Sequence, residues 1–291
     1  MNWLVYHIVS GQSFFTGICL LVVAAFSSRC SRPIFSRTTV LSFFVGVIAV
    51  AISSTAIPYP FYAIAVAVTA LWIATRFKKQ WRRWATYAFA GVWLIAALIE
   101  LPYHFTPSLR PAPQRTLTII GDSVTAGVGA DDTSDRWPDI LAREHELQVQ
   151  DISHMGETAA SALKRAKSFS IESSVVLVEI GGNDLLGSTT SSQFGRDLDA
   201  LLASLVAKDR QIIMFELPLP PFYHEYGRVQ RSVTAKHRVK LVPKRVFLSV
   251  IARSGSTLDS IHLSASGHKL MSDCVWRLVK SAFEFHQGTS S

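Results

Sequence analysis

Residues 116–124 read TLTIIGDSV, a short apolar run that breaks on Gly121-Asp122-Ser123. The run fits a buried strand over 117–120, and Gly and Asp are turn formers, so its carboxyl end should turn sharply. The pattern repeats downstream. Strands are expected at 149–152, followed by His154-Met155-Gly156, and at 175–180, followed by Gly181-Gly182-Asn183-Asp184. Further strands are expected at 212–216 and near 240–242. Amphipathic stretches between them predict helices near 135–147, 158–169, 191–208, 228–238 and 264–285. Strands alternating with helices specify an α/β fold, a parallel sheet covered on both faces. In such sheets the ligand site lies beyond the carboxyl ends of the strands.

Those ends carry the chemistry of acyl transfer. A serine hydroxyl is a weak nucleophile and needs a base. Ser123 follows the first strand, and His262 can supply that base. Asp259, three residues before His262, can fold back on the other imidazole nitrogen. The backbone N–H groups of Ser123 and Gly156 and the amide of Asn183 suit an oxyanion hole. Glu179 and Glu216 end apolar strands and are expected to be buried, hydrogen-bonded carboxylates. His154 is read as bonding within its loop, and His268 as a surface or capping residue.

In this order the motifs resemble the SGNH, or GDSL, hydrolase family, in particular its small bacterial thioesterase/lysophospholipase type. The resemblance spans about 116–285. Its blocks are matched by Gly121-Asp122-Ser123-Val124, by Gly156, by Gly182-Asn183-Asp184, and by Asp259 with His262; Trp137-Pro138 also matches. Asp151 stands where Asn is common, and Leu263 where Pro is frequent. The resemblance implies a flavodoxin-like three-layer α/β/α sandwich without metal or cofactor. It implies Ser123, His262 and Asp259 as the triad and Ser123, Gly156 and Asn183 as the oxyanion hole. The sequence has no G-x-S-x-G elbow, H-E-x-x-H or P-loop.

The first third reads differently. Hydrophobic residues make up 49% of the 291-residue chain and charged residues 17%. Of the net charge of +8, residues 1–105 carry +7, from eight Lys/Arg against Glu100 alone. The basic excess therefore belongs to an apolar region and does not mark a nucleic-acid surface. Apolar runs at 3–26, 38–57, 61–75 and 84–99 predict about four transmembrane helices. The first lacks the basic start and A-x-A site of a signal peptide. Only His7 lies inside a run, so an anchor is expected rather than a conduit. The loops with Arg29, Arg32 and Arg37, and with Arg76 to Arg83, should stay in the cytoplasm. That orientation puts the downstream domain outside the cytoplasm, on the periplasmic side.

Residues 1–103 are thus expected to form the membrane region, 104–115 a Pro-rich linker and 116–291 the hydrolase domain. Cys19, Cys30 and Cys274 form no disulfide or metal pattern. The expected activity is that of a membrane-anchored serine esterase on acyl esters, including lysophospholipids or acyl thioesters. The alternatives are a cell-envelope glycan O-acyl esterase or acyltransferase, and an idle binding protein. The eight Lys/Arg between 227 and 258, with no acid among them, suggest a lipid-facing surface beside Phe222 and Tyr223.

Overall fold

The computed structural model describes residues 2–30, 32–75, 79–127, 135–259 and 262–284. They form two compact units: Phe105–Leu217 with Val229–Ser291, and Asn2–His104 with Pro218–Arg228.

The first unit is built on five strands: β1 (Thr116–Gly121), β2 (Gln148–Asp151), β3 (Val175–Glu179), β4 (Gln211–Phe215) and β5 (Lys240–Val242). All pair in parallel, in the order β2-β1-β3-β4-β5. This is a doubly wound sheet whose connections reverse direction between β1 and β3, the place where such folds open a crevice. Every residue of β3 is buried, as expected of a central strand covered on both faces. Each of its Val and Leu side chains contributes about 1.5–3 kcal/mol by leaving water.

In chain order the helices are α1 (Trp3–Val9), α2 (Gln12–Ser27), α3 (Pro33–Ile52), α4 (Tyr59–Ala74) and α5 (Lys79–Glu100). Around the sheet follow α6 (Ser123–Ala126), α7 (Trp137–His145), α8 (Ala159–Ala166), α9 (Gly182–Leu186) and α10 (Ser191–Leu205). The last three are α11 (His224–Lys236), α12 (Lys244–Ile251) and α13 (Ala265–Phe283). Helices α7, α12 and α13 pack together, as do α8 and α10. Thr158 caps α8 reciprocally with Ser161, and Ser264 caps α13 through the Gly267 N–H, which satisfies donors that a helix start leaves open.

Residues 109–115 do not stand free as a linker. Leu109 and Ala112 are buried in the main core cluster. The Ala112 N–H donates to the Ala282 carbonyl at 2.8 Å, and Arg115 donates to the carbonyls of Phe283 and His145. Two small apolar side chains between prolines are enough to dock the stretch along α13.

The second unit packs α2 against α3 and α5, and α4 against α5. Gly17 and Gly46 set the α2–α3 approach. A Cβ on Gly17 would lie 2.8 Å from the Gly46 carbonyl oxygen, and one on Gly46 would lie 2.9 Å from that of Gly17. Small residues at such a crossing let helix backbones touch.

The expectation of four spans is corrected. Among the described residues two helices, Pro33–Ile52 and Gln80–His104, are long and apolar enough to cross a membrane, and the pair α1 and α2 adds a third if it counts as one span. That pair bends by 85° at Gly11, whose φ of 83° is left-handed. Helix α4 has 16 residues, about 24 Å against a hydrocarbon core of about 30 Å. His7 bonds across the bend to Gln12 and Thr16. Glu100 is fully buried, with His104 3.4 Å away.

The basic stretch 227–258 is not a uniform lipid-facing surface either. Arg231 and Lys244 are buried against Glu216, and Lys236 pairs with Asp199. Arg228 lies over the Tyr59 ring at 3.5 Å within the helical unit. These cations serve internal contacts, because each meets an acid or ring from another part of the chain.

Candidate active site

The crevice between the carboxyl ends of β1 and β3 is built from glycines and buried carboxyls. A Cβ on Gly121 would sit 2.6 Å from the Thr125 Cβ and 2.9 Å from the Ser153 Oγ. Only glycine lets the chain turn there. Asp122 caps the short helix α6, accepting the Val124 N–H at 3.0 Å, and this places Ser123, itself buried, at the first position of that helix. Gly156 has a φ of 74° with open space around its Cα, so backbone conformation rather than room requires glycine.

Asn183 lies in the first turn of α9, entered through Gly181 with φ 118°. Its Nδ2 donates to the Glu157 carbonyl at 3.0 Å and to Asp122 Oδ2 at 3.3 Å. The amide thereby joins the turn that carries Gly156 to the turn that carries Ser123. Asp184, fully buried, accepts the Ala159 N–H at 2.9 Å and ties the start of α8 to α9; burial pushes its carboxyl up.

Asp259 and His262 meet as their spacing suggests. His262 Nδ1 lies 2.6 Å from Asp259 Oδ2, and the His262 N–H donates to Asp259 Oδ1 at 2.9 Å. A bridge between Thr257 and Leu263 closes this turn. Its middle, Ser260 and Ile261, lies outside the described residues. The His262 charge acts on Asp122, so the ring is within electrostatic reach of the β1 turn. Among the described residues no hydrogen bond joins the Ser123 hydroxyl to the His262 ring.

Glu179 and Glu216 are buried and hydrogen-bonded as expected, and His154 Nδ1 lies 2.8 Å from the Met155 carbonyl. His268 is corrected: it is fully buried, and its Nδ1 accepts the Trp137 N–H at 3.3 Å. Asp151, at the position where Asn is common, accepts the Ser153 N–H and pairs with Arg136 at 2.9 Å.

Sequence reasoning did not connect Asp122 with Glu179. The Asp122 N–H and the Thr125 hydroxyl both donate to Glu179 Oε2, at 3.3 and 3.0 Å. Burial pushes both up, Glu179 far above the usual carboxylate range, with the Asp122 charge adding to its rise. The signal available was an acid ending a strand that is otherwise wholly apolar.

A parallel doubly wound sheet with a Gly-Asp-Ser turn, an oriented asparagine amide and an Asp–His pair at its loops defines an ester hydrolase of the SGNH class. Residues 119–270 match the GDSL-like Lipase/Acylhydrolase family, and the chain belongs to it. It is 27% identical over 185 residues to Esterase TesA of Pseudomonas aeruginosa, covering 59% of this chain and 90% of that protein. It is 31% identical over 135 residues to Thioesterase 1/protease 1/lysophospholipase L1 of Escherichia coli, covering 44% of this chain and 63% of the relative. The crystal structure of TesA superimposes with a TM-score of 0.51 at 26% identity, over 58% of this chain and 99% of that one. The psychrotrophic esterase EstA from Pseudoalteromonas sp. shares the fold, with a TM-score of 0.52 at 22% identity over 57% and 97%. The chain is a carboxylic ester hydrolase of the GDSL type.

Proposed function

We propose that the chain is a membrane-anchored serine esterase in which Ser123 attacks the acyl carbonyl, His262 takes its proton and Asp259 holds the imidazole. The observation that carries this reading is the 2.6 Å contact of His262 with Asp259 on a loop within electrostatic reach of the Ser123 turn. Nδ1 faces the carboxylate, so Nε2 is left as the base. Serine and histidine come within hydrogen-bond distance in the substrate complex; unliganded enzymes commonly hold them further apart. The tetrahedral oxyanion takes the N–H groups of Ser123 and Gly156 and the Asn183 amide. For the last, the oxyanion shares the Nδ2 hydrogen that makes the long 3.3 Å contact to Asp122, which keeps the amide aimed.

Acyl chains of some length fit the surroundings. Met155, Leu186 and Leu258, each within three residues of a proposed site residue, are all exposed apolar side chains. This supports fatty acyl esters, lysophospholipids and acyl thioesters as the substrate class. The anchor reading rests on the apolar helices, and its orientation on α5. Lys79, Arg82 and Arg83 lie in the first turns of that helix, and basic flanks stay in the cytoplasm, so the chain that follows α5 emerges on the outer face. Boundaries near residue 104 for the helical part and 116 for the first strand go with this reading.

Ser123→Ala tests the assignment. Full-length protein in detergent should lose ester hydrolysis by several orders of magnitude with an unchanged melting temperature. Turnover near that of the parent would refute it. A panel of nitrophenyl esters of graded chain length, lysophospholipid, acyl thioester and acetylated glycan resolves the substrate class, and preference for the acetylated glycan would overturn the fatty-acyl reading.

A further inference from the structure

We propose that Glu179 is a positioning residue of this esterase: it sits beneath the reacting groups as a neutral acid, holds Asp122, and through Asp122 aims the Asn183 amide. The inference rests on the site proposed above and extends it to a residue that touches no substrate.

The geometry sets up the relay. Glu179 ends β3 directly opposite Gly121 in the sheet register, so its side chain enters the β1 turn from below. One of its oxygens accepts two donors of that turn, the Asp122 N–H and the Thr125 hydroxyl. Asp122, held at its N–H by Glu179, in turn accepts Asn183 Nδ2 on its Oδ2 at 3.3 Å. Asp122 Oδ1 is fixed by the Val124 N–H. Gly182, whose Cβ would come within 3.2 Å of Asp122 Oδ2, leaves no slack between the carboxyl and α9. Both side chains are buried, and burial disfavours two carboxylate charges in one turn.

The charge on Glu179 matters for the chemistry. An oxyanion forming beside Asn183 meets one negative charge from Asp122 when Glu179 is neutral, and two when it is not. Loss of the Glu179 proton also sets the carboxylates against each other and swings the amide that Asp122 orients. The other titratable groups facing this pair are His262, whose charge favours the Asp122 carboxylate, and Asp184, whose charge opposes it. Glu216, just past the end of β4 on the far side of β3, is bonded to Arg231. The raised proton affinity of Glu179, due first to burial and then to the Asp122 charge, is in the direction the relay needs.

The experiment uses the full chain in detergent, with p-nitrophenyl butyrate followed by pH-stat from pH 6 to 10. Glu179→Ala should lower kcat by about 10–100-fold with KM little changed, less than the loss of an oxyanion donor itself. Glu179→Gln, neutral and of the same shape, should recover most of that loss and should lack the alkaline fall in kcat that the parent shows. Infrared spectra at neutral pH should contain a protonated-carboxyl band that Glu179→Gln removes. A Gln variant as impaired as the Ala variant, an alkaline limb that survives the Gln substitution, or a missing carboxyl band would each overturn the proposal. If Glu179→Ala fails to fold, the Gln variant and the spectrum decide. Ser123→Ala run alongside separates the failures: residual turnover there discards the site, whereas a dead Ser123→Ala with an indifferent Glu179 discards only the relay.

Discussion

Replacing Glu216 by Gln should destabilise the hydrolase unit more than most surface changes could. Glu216 Oε1 takes Arg231 Nε at 2.8 Å and its terminal nitrogen at 2.7 Å, and Lys244 Nζ lies 3.8 Å away. The side chains are 1%, 6% and 2% exposed in the order Glu216, Arg231, Lys244. Glutamine keeps the size and an acceptor but removes the charge that balances two buried cations. Breaking a buried pair by removing one partner costs about 3–5 kcal/mol. A unit of this size loses about 2–4 °C in Tm per kcal/mol, so the melting temperature should fall by about 6–20 °C. Thermal unfolding of full-length protein in detergent, followed by loss of esterase activity, measures it. The fraction still folded should keep the parental kcat, since no bond of Glu216 reaches the β1–β3 crevice. A fall of less than about 2 °C would refute the reasoning, for it would mean that Arg231 and Lys244 need no internal counter-charge. Arg231→Met combined with Glu216→Leu should recover part of the loss, as apolar replacements of buried ion pairs commonly do.

Three further outcomes follow from contacts described above. Asn183→Ala should cost about 10²–10³ in kcat with KM nearly unchanged; a pure KM effect would make Asn183 a substrate-binding residue instead. The Glu179 carboxyl is raised well above its ordinary value in the fold, so its contribution to stability is full below the unfolded pKa, about 4.3, and is lost as pH rises through the folded one; Glu179→Gln should flatten that decline in denaturant titrations. Gly46→Ala should destabilise the helical unit by about 1–3 kcal/mol, seen as a lower temperature for its detergent-phase unfolding, because the new methyl meets the Gly17 carbonyl oxygen at 2.9 Å.

The sheet was legible because each strand is an apolar run stopped by turn residues, and all five lie within a residue or two of their expected places. Helices α6 and α9 were not, since four and five residues are too few for a period of 3.6 to show. The Asp259–His262 contact could be read from spacing, but the Asp122–Glu179 contact could not: it joins residues 57 apart through the register of β1 on β3. His268 looked polar and therefore exposed; the α7 backbone that buries it lies 131 residues away in the chain. Counting spans failed for a physical reason too. A charge-free run does not reveal that Gly11 bends it, and hydropathy does not measure whether 16 residues reach across a bilayer.

The docking of Leu109 and Ala112 along α13 has a consequence for how the chain is made. The Leu109 N–H reaches the Ser281 hydroxyl, 172 residues later, and Ala282 and Phe283 complete the same cluster as Leu117 on β1. The glycine contact between α2 and α3, in contrast, needs nothing beyond residue 52. During synthesis at about 5–20 residues per second, the helical hairpin can close while the sheet is still being translated. The catalytic unit must wait, with its first strand uncovered, until α13 has left the ribosome. Such long-range closure slows folding, so for about ten seconds or more the nascent chain has a closed helical pair but no completed catalytic core, a window in which the fold itself does not yet protect β1.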